Sequence, residues 1–318
     1  MTAHLASPGA SSTGGTTLPP VPVRRRRRLG PVLGPIIAVL PAVVIVGVFL
    51  AYPIGYGLWI SLHEVSMFRL ATENFVGLAN YQALFADPTF RHSLGRTMIF
   101  VFGVIVLGMI QSLAFGLVLY HLPQWSRAIR ALNLIPFFIS SVAVAMIWRF
   151  FVQSEGGFTQ FLSQSVGQEP ISWLASPTLA LLVVTVATVW AMAPFSVLLI
   201  LSGLQTVNSE MYEAAEVDGA NAVQRFVHIT LPSIRPQIAT SLIWLTFQAF
   251  NSFGLILALT GGGPGRATEI LAVYMYGLGL DQLDLAGSSA VMIIILAFNA
   301  LFSLLYLKLL PTDEPAQS

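Results

Sequence analysis

Four carboxylates crowd one short stretch of this 318-residue chain: Glu210, Glu213, Glu216 and Asp218. The glutamates recur every three residues, which puts an acidic face on a helix. Covalent chemistry has little to work with elsewhere. Lysine occurs once, at Lys308, so no Gly-x-x-x-x-Gly-Lys-Ser/Thr loop can cradle a nucleotide. His63-Glu64 lacks the second histidine of a His-Glu-x-x-His zinc site, and no Gly-x-Ser-x-Gly is present. The chain has no cysteine, which excludes disulfides, iron–sulfur clusters and thiolate zinc sites. His121 and His228 stand at the edges of apolar runs and read as interfacial. The sequence therefore predicts no catalytic residue, no metal site and no cofactor; it does not read as an enzyme.

Recognition chemistry is better represented. Gln111, Ser112, Asn133, Ser140, Ser141, Thr185, Thr188, Gln248, Asn251, Ser252 and Asn299 lie inside long apolar runs. At hydrocarbon depth such groups must face protein or a wet cavity, and most serve as contacts between helices. Gln248, Asn251 and Ser252 cluster beside Phe250. With Trp190, these five are the expected substrate path: neutral hydrogen-bonding groups and aromatic platforms suit a polyhydroxylated solute. Pro136 and Pro194 interrupt the helical ladder inside apolar runs and are further candidates to line a cavity.

The elements that must position these groups follow from composition. Hydrophobic residues make up 55% of the chain, and only 9% are charged, with mean hydropathy +0.77. A soluble domain carries about 25% charged residues, so this chain cannot cover a water-facing surface of its size. Net charge is +1, with no global basic field for nucleic acid. Charged residues leave six long gaps, at 29–63, 97–126, 131–148, 170–209, 236–265 and 285–307. A bilayer core needs roughly 20 apolar residues as a helix. The expected fold is all-α: a polytopic membrane protein with six transmembrane helices near 35–60, 97–120, 131–151, 178–203, 236–259 and 286–309. Arg24 to Arg28, Arg127, Arg130, Arg225, Arg235 and Lys308 then lie inside, against Arg69, Arg91, Arg96, Arg149 and Arg266 outside. That bias sets both termini in the cytoplasm (N-in/C-in) and rests mainly on the Arg24–Arg28 run. Residues 1–30 read as a disordered cytoplasmic tail ending in that run, 31–310 as the membrane domain, and 311–318 as a second tail. The apolar stretch after the run is too long for a cleaved signal and reads as an uncleaved first span.

Two loops exceed simple connectors. In the outer loop 61–96, Asn74 to Tyr81 and Phe85 to Pro88 combine turn residues with aromatics, which suits a membrane-surface helix. The inner loop 204–235 predicts a helix capped by Asn208 or Ser209, broken at Gly219, then a second helix over about 221–229. Pro232 and Pro236 lead into the fifth span.

That inner loop carries a resemblance. Glu213-Ala214-Ala215, three residues, Gly219, nine residues, Ile229, one residue, then Leu231-Pro232 resembles the EAA loop of ABC importer permeases at seven positions. Asn251-Ser-Phe-Gly254, Leu259-Thr-Gly-Gly-Gly-Pro264, Tyr274-Met-Tyr276 and the 74–81 stretch are similar to permeases of the maltose, glycerol-3-phosphate and trehalose type. Together these cover about 35–309. Asn208 departs from the proline usual before the coupling helix, and Gly287-Ser-Ser-Ala290 from the usual Gly-Tyr-Ala-Ser. The resemblance implies an ABC importer permease architecture in a prokaryotic plasma (inner) membrane. Glu213, Ala214, Ala215, Gly219, Ile229, Leu231 and Pro232 would meet a separate ATPase. It also implies a second permease subunit, paired ATPase subunits, an external solute-binding protein and a sugar substrate, whether a mono-, di- or oligosaccharide or a glycerol-phosphate-like solute. A polyamine or phosphonate permease uses the same loop. A secondary transporter is disfavoured, since no ionisable group lies deep in a span.

Overall fold

The computed structural model describes residues 33–66, 71–122 and 126–310. The tail regions 1–30 and 311–318, the Arg24–Arg28 run and Arg69 lie outside the described residues. Contacts divide the chain into two units, Met1–Pro53 and Ile54–Ser318. Inner and outer refer to the orientation set by the basic residues.

Helix α1 (Leu33–Val46), a π turn (Gly47–Ala51) and α2 (Tyr52–Ser61) occupy the first charge-free gap. A two-stranded antiparallel hairpin follows, β1 (His63–Ser66) and β2 (Ala71–Phe75), with His63 opposite Phe75. Within the outer loop where a surface helix is expected, Asn74 and Phe75 end a strand, Gly77 turns at φ +58°, and a helix, α3, runs Ala79–Ala86. Asn80 fixes that arrangement, its amide donating to the Ser61 and His63 carbonyls at 2.8 and 3.0 Å. His63 itself is buried between Trp59, stacked at 4.0 Å, and Phe75.

The core is built on two long helices, α4 (Pro88–His121) and, after three shorter ones, α8 (Pro177–Leu204). Helix α4 starts well before the expected 97. Asp87 caps it, accepting from the Thr89 and Phe90 amides, and Pro88 suits its first turn. Glycines let α4 seat closely: a Cβ at Gly116 would stand 2.9 Å from Ile200, and one at Gly108 2.9 Å from Leu245.

The third gap does not form one straight span. Helices α5 (Ser126–Phe138) and α6 (Ser141–Val152) meet at 100°. Pro136 weakens the end of α5, and Ser140 starts a new helix, accepting from the Ala143 amide at 3.3 Å. The expected 131–151 span is therefore a broken pair. Helix α7 (Phe158–Ser165) follows on the outer side. Beyond α8 come the inner helices α9 (Ser209–Val217), α10 (Ala222–Arg225) and α11 (Leu231–Ser233). Then α12 (Arg235–Phe250) and α13 (Phe253–Thr260) form a second broken pair, bent by 45°. Helix α14 (Leu271–Tyr276), a π turn and α15 (Leu285–Leu309) complete the chain. Among the described residues four helices are long and apolar enough to cross a membrane, and six elements when each bent pair counts as one.

Candidate coupling and translocation sites

The acidic inner loop folds as a hairpin written in caps. Asn208 Oδ1 accepts from the Glu210 amide at 3.0 Å and starts α9. The helix ends in a Schellman arrangement: the Ala220 amide reaches the Ala215 carbonyl at 2.9 Å and the Gly219 amide reaches Glu216. Gly219 holds φ +77°, where any Cβ is strained. Asn221 and Gln224 then form a reciprocal capping box for α10. The second helix expected over 221–229 is present, capped at Asn221, and continues from Arg225 through a π turn, Phe226–Thr230, in which the Thr230 hydroxyl faces the Arg225 carbonyl at 3.5 Å.

Two contacts tie the arms together. Arg225 pairs with Glu216 at 3.1 Å, and the Tyr212 and Thr230 hydroxyls meet at 2.8 Å. Ile229 packs on Ile200, Leu204, Val207 and Ile234, so the hairpin is anchored to the inner end of α8. Glu213, Ala214 and Gly219 are exposed, Ala215 is half-buried, and Val217 is 89% exposed. Leu231 and Pro232 form the short α11 that delivers the chain to α12. The seven residues singled out from sequence thus run from α9 through the π turn to α11, with Glu213, Ala214 and Gly219 exposed. A cavity of about 420 Å³ lies at the base of the hairpin, lined by Tyr120, His121, Leu204, Tyr212, Arg225 and Phe226.

The second site lies where both broken pairs open. Helix α13 packs on α6, and a Cβ at Gly254 would stand 2.8 Å from Ser141 Oγ. Gln248 Nε2 donates to Met192 Sδ at 2.9 Å, and Trp244 Nε1 to the Met192 carbonyl at 3.2 Å. The Ser252 and Thr188 hydroxyls are 3.5 Å apart, one turn along α8 from Met192. Asn251 stands exposed at the break, its amide donating to the Phe247 carbonyl at 2.8 Å. Trp190 is half-buried and meets Trp148 edge-on at 6.3 Å. The expectation for Phe250 is corrected. It is 1% exposed and stacks on Phe298 at 5.9 Å and beside Phe302, so its ring joins α12 to α15. Pro194 sits within α8, leaving the Trp190 carbonyl without its helical donor, and its own carbonyl accepts from Asn133 at 3.3 Å.

Sequence reasoning passed over Trp244 and Met192, though Trp244 sits one turn before Gln248. It also gave no part to an outer polar cavity of about 460 Å³, lined by Asn80, Asp87, Arg266, Tyr274, Gln282 and Asp284. The Tyr274 hydroxyl donates to Asp87 at 2.7 Å. Burial raises the Tyr274 phenol above its ordinary range, as do Asp87, Asp284 and Glu269 around it, so it stays neutral. Burial pushes Asp87 up, but hydrogen bonds from Tyr274, Thr89 and Phe90 outweigh it and leave the carboxyl below 3.8. The adjoining Thr-Gly-Gly-Gly-Pro loop is pinned. Thr268 bonds Thr260 and the Gly263 carbonyl, both at 2.7 Å, and Ser93 donates to Glu269 at 3.0 Å.

Comparison with known proteins gives this geometry its context. A family described as "Binding-protein-dependent transport system inner membrane component" matches residues 105–312. A trehalose/maltose transport system permease protein of Thermococcus litoralis is 35% identical over 273 residues, covering 85% of this chain and 91% of the relative. A sulfoquinovosyl glycerol transport system permease protein of Agrobacterium fabrum is 31% identical, covering 90% and 93%. An sn-glycerol-3-phosphate transport system permease protein of Yersinia enterocolitica is 34% identical, covering 82% and 88%. A crystal structure of a bacterial alginate ABC transporter, bound to its alginate-loaded periplasmic protein, shares the fold. Its TM-score is 0.73 at 22% identity, covering 87% of this chain and 93% of that one.

Proposed function

The chain belongs to the family of binding-protein-dependent transport system inner membrane components, and from that membership we propose that it is a multi-pass transmembrane subunit of an ABC importer for a neutral sugar. In this reading it performs no covalent step. Glu213, Ala214, Ala215, Gly219, Ile229, Leu231 and Pro232 form the element that a separate ATPase engages. Closure of the ATPase dimer pushes the hairpin apex, and α11 and α12 carry the displacement to the helix breaks. An external solute-binding protein delivers the solute to the outer side.

The observation that carries the sugar is the chemistry at the breaks. Gln248, Asn251, Ser252, Thr188 and the indoles of Trp190 and Trp244 are neutral donors, acceptors and platforms. Discontinuous helices near mid-span are where transporters bind their solutes. Asn251 and Ser140 are exposed at those breaks, and lipid cannot satisfy them, which supports a second permease subunit covering this face around a wet path. The relatives named for glycerol phosphate and sulfoquinovosyl glycerol carry anionic solutes, for which an arginine would be needed. Arg149, in the last turn of α6, and Arg266, in an outer loop, are interfacial instead. A polyamine would need carboxylates that this cluster does not offer.

Reconstitution with partner permease, ATPase and binding protein tests the reading. ATP-dependent uptake of trehalose or maltose is expected. Uptake of spermidine or glycerol 3-phosphate in its place, or uptake driven by an ion gradient without an ATPase, contradicts it.

A further inference from the structure

The cavity of about 420 Å³ at the base of the inner hairpin has no part in the proposed coupling. Its walls come from the last turn of α4, the inner end of α8 and both arms of the hairpin. Leu117, Leu204 and Phe226 make them apolar, and Tyr120, His121 and Arg225 add polar edges. No carboxylate lines it among the described residues. Its depth follows from α4. That helix has 34 residues and is about 51 Å long at roughly 1.5 Å per residue, against a hydrocarbon core of about 30 Å. Its final turn, with Tyr120 and His121, therefore lies at the level of the inner headgroups, where amphipathic aromatic side chains collect.

The cavity is also basic. Arg225 pairs with Glu216, but that carboxylate is 73% exposed, so water screens the pair and it is worth little. The pair engages one nitrogen of the guanidinium and leaves the rest of its fork of donors for another anion. His121 Nδ1 lies 2.8 Å from the Leu117 carbonyl. A carbonyl only accepts, so Nδ1 donates and Nε2 is left for a ligand. Further cations stand at this end of α4. Ile129 of α5 packs on the same Leu119, Val197 and Leu201 cluster as Tyr120, and Arg127 and Arg130 flank it in sequence. Among the described residues Arg127, Arg130 and Arg235 form no ion pair, and the buried Nε of Arg130 has no hydrogen-bond partner. A basic cavity with apolar walls at headgroup depth suits a ligand that is phosphate at one end and hydrocarbon at the other. Basic pockets between helices on the cytoplasmic side take such headgroups, and the anionic inner leaflet supplies them.

We propose that this cavity seats the headgroup of an anionic phospholipid from the inner leaflet, with its phosphate on Arg225 and its glycerol and first methylenes against Leu117, Leu204 and Phe226. The lipid then touches α4, α8 and the hairpin together and completes the base on which the hairpin stands. The site depends neither on which solute is carried nor on an ATPase engaging the apex.

Native mass spectrometry of the full complex tests this, with phosphatidylglycerol titrated against phosphatidylcholine of the same acyl chains. Phosphatidylglycerol is expected to bind about tenfold more tightly, the factor that one hydrogen bond to a charged group represents. Arg225→Gln should abolish that preference. Glu216→Gln keeps the guanidinium and frees it from its partner, so it should bind phosphatidylglycerol at least as tightly as the unmodified complex. A preference unchanged by Arg225→Gln overturns the site. So does an equal loss in Glu216→Gln, because the fold of the hairpin and not the guanidinium then decides. Inorganic phosphate that displaces phosphatidylglycerol at matched concentration assigns the cavity to a soluble anion and overturns the lipid. A phosphatidylglycerol with a photoreactive group near its glycerol, added to the unmodified complex, needs no variant to fold. Adducts are expected within 117–121 and 222–226, and adducts confined to other segments overturn the site. These readouts need neither uptake nor ATP hydrolysis, so failure of the importer reading and failure of the lipid site are told apart.

Discussion

The inner-loop hairpin and the helix breaks are both departures from straight spans, yet they are specified by different physics. The hairpin is local. Asn208, Gly219, Asn221 and Gln224 each satisfy backbone groups within a few residues, and the fold of the loop can be read one turn at a time. The breaks are non-local. Ser140 caps a new helix, but the 100° bend is held by packing of α6 against α13 and α8, far along the chain. Asn251 ends α12 because α13 must lean on α6, with Gly254 admitting Ser141. Exposure differs too. The hairpin apex is exposed, with its backbone satisfied by the Asn208 cap and the Schellman turn. The break region mixes exposed Asn251 and Ser140 with half-buried Gln248 and buried Ser252 and Thr188.

Five variants, in four ranks of expected effect, sharpen that contrast. The largest effect is expected at Gly219→Pro. Proline cannot adopt φ +77°, so the Schellman turn is lost, and binding-protein-stimulated ATPase and uptake should fall to background. Glu213→Lys should do the same without unfolding the hairpin. Next is Phe250→Ala, which empties a packed site between α12 and α15 and should cost about 3–5 kcal/mol of stability in thermal unfolding. A loss of solute affinity with unchanged stability would restore Phe250 to the path. Third, Gln248→Leu should raise the half-saturating sugar concentration for uptake about tenfold while ATPase subunits still co-purify, a loss of one good hydrogen bond. The smallest effect concerns the outer cavity. The Asp87 carboxyl lies below its ordinary value, so its contribution is present above pH 3.8 and is lost as pH falls through its folded value. Tyr274→Phe should therefore lower stability by ~1 kcal/mol at neutral pH, with the difference from wild type shrinking below pH 3.8.

The legibility of the sequence follows the same division. Charge-free gaps located the membrane elements because hydration of charge is decided residue by residue. Asn208 and Gly219 announced the hairpin through their own backbone preferences. The Ser140 break, by contrast, reads as one short apolar run, and Pro136 alone did not decide between kink and rupture. Phe250 looked like a platform because an aromatic beside Gln248 and Asn251 is ambiguous until Phe298 and Phe302 are seen to claim its face. The stretch 74–81 divides between the end of β2 and the start of α3, and Asn80 holds that junction by binding carbonyls at Ser61 and His63 that no local pattern announces. The outer cavity joins residues from four separate elements, with Asp87 and Tyr274 far apart in sequence.

The most direct test of the account is cross-linking at the hairpin apex. The chain lacks cysteine, so Ala214→Cys gives a single reactive thiol on an exposed position. With a short bifunctional thiol reagent and a scanning set of single cysteines on the co-purified ATPase, the account predicts a covalent adduct to the ATPase whose yield changes when ATP is bound. Efficient sugar uptake with Ala214→Cys free of any ATPase adduct, at every position scanned, would contradict it.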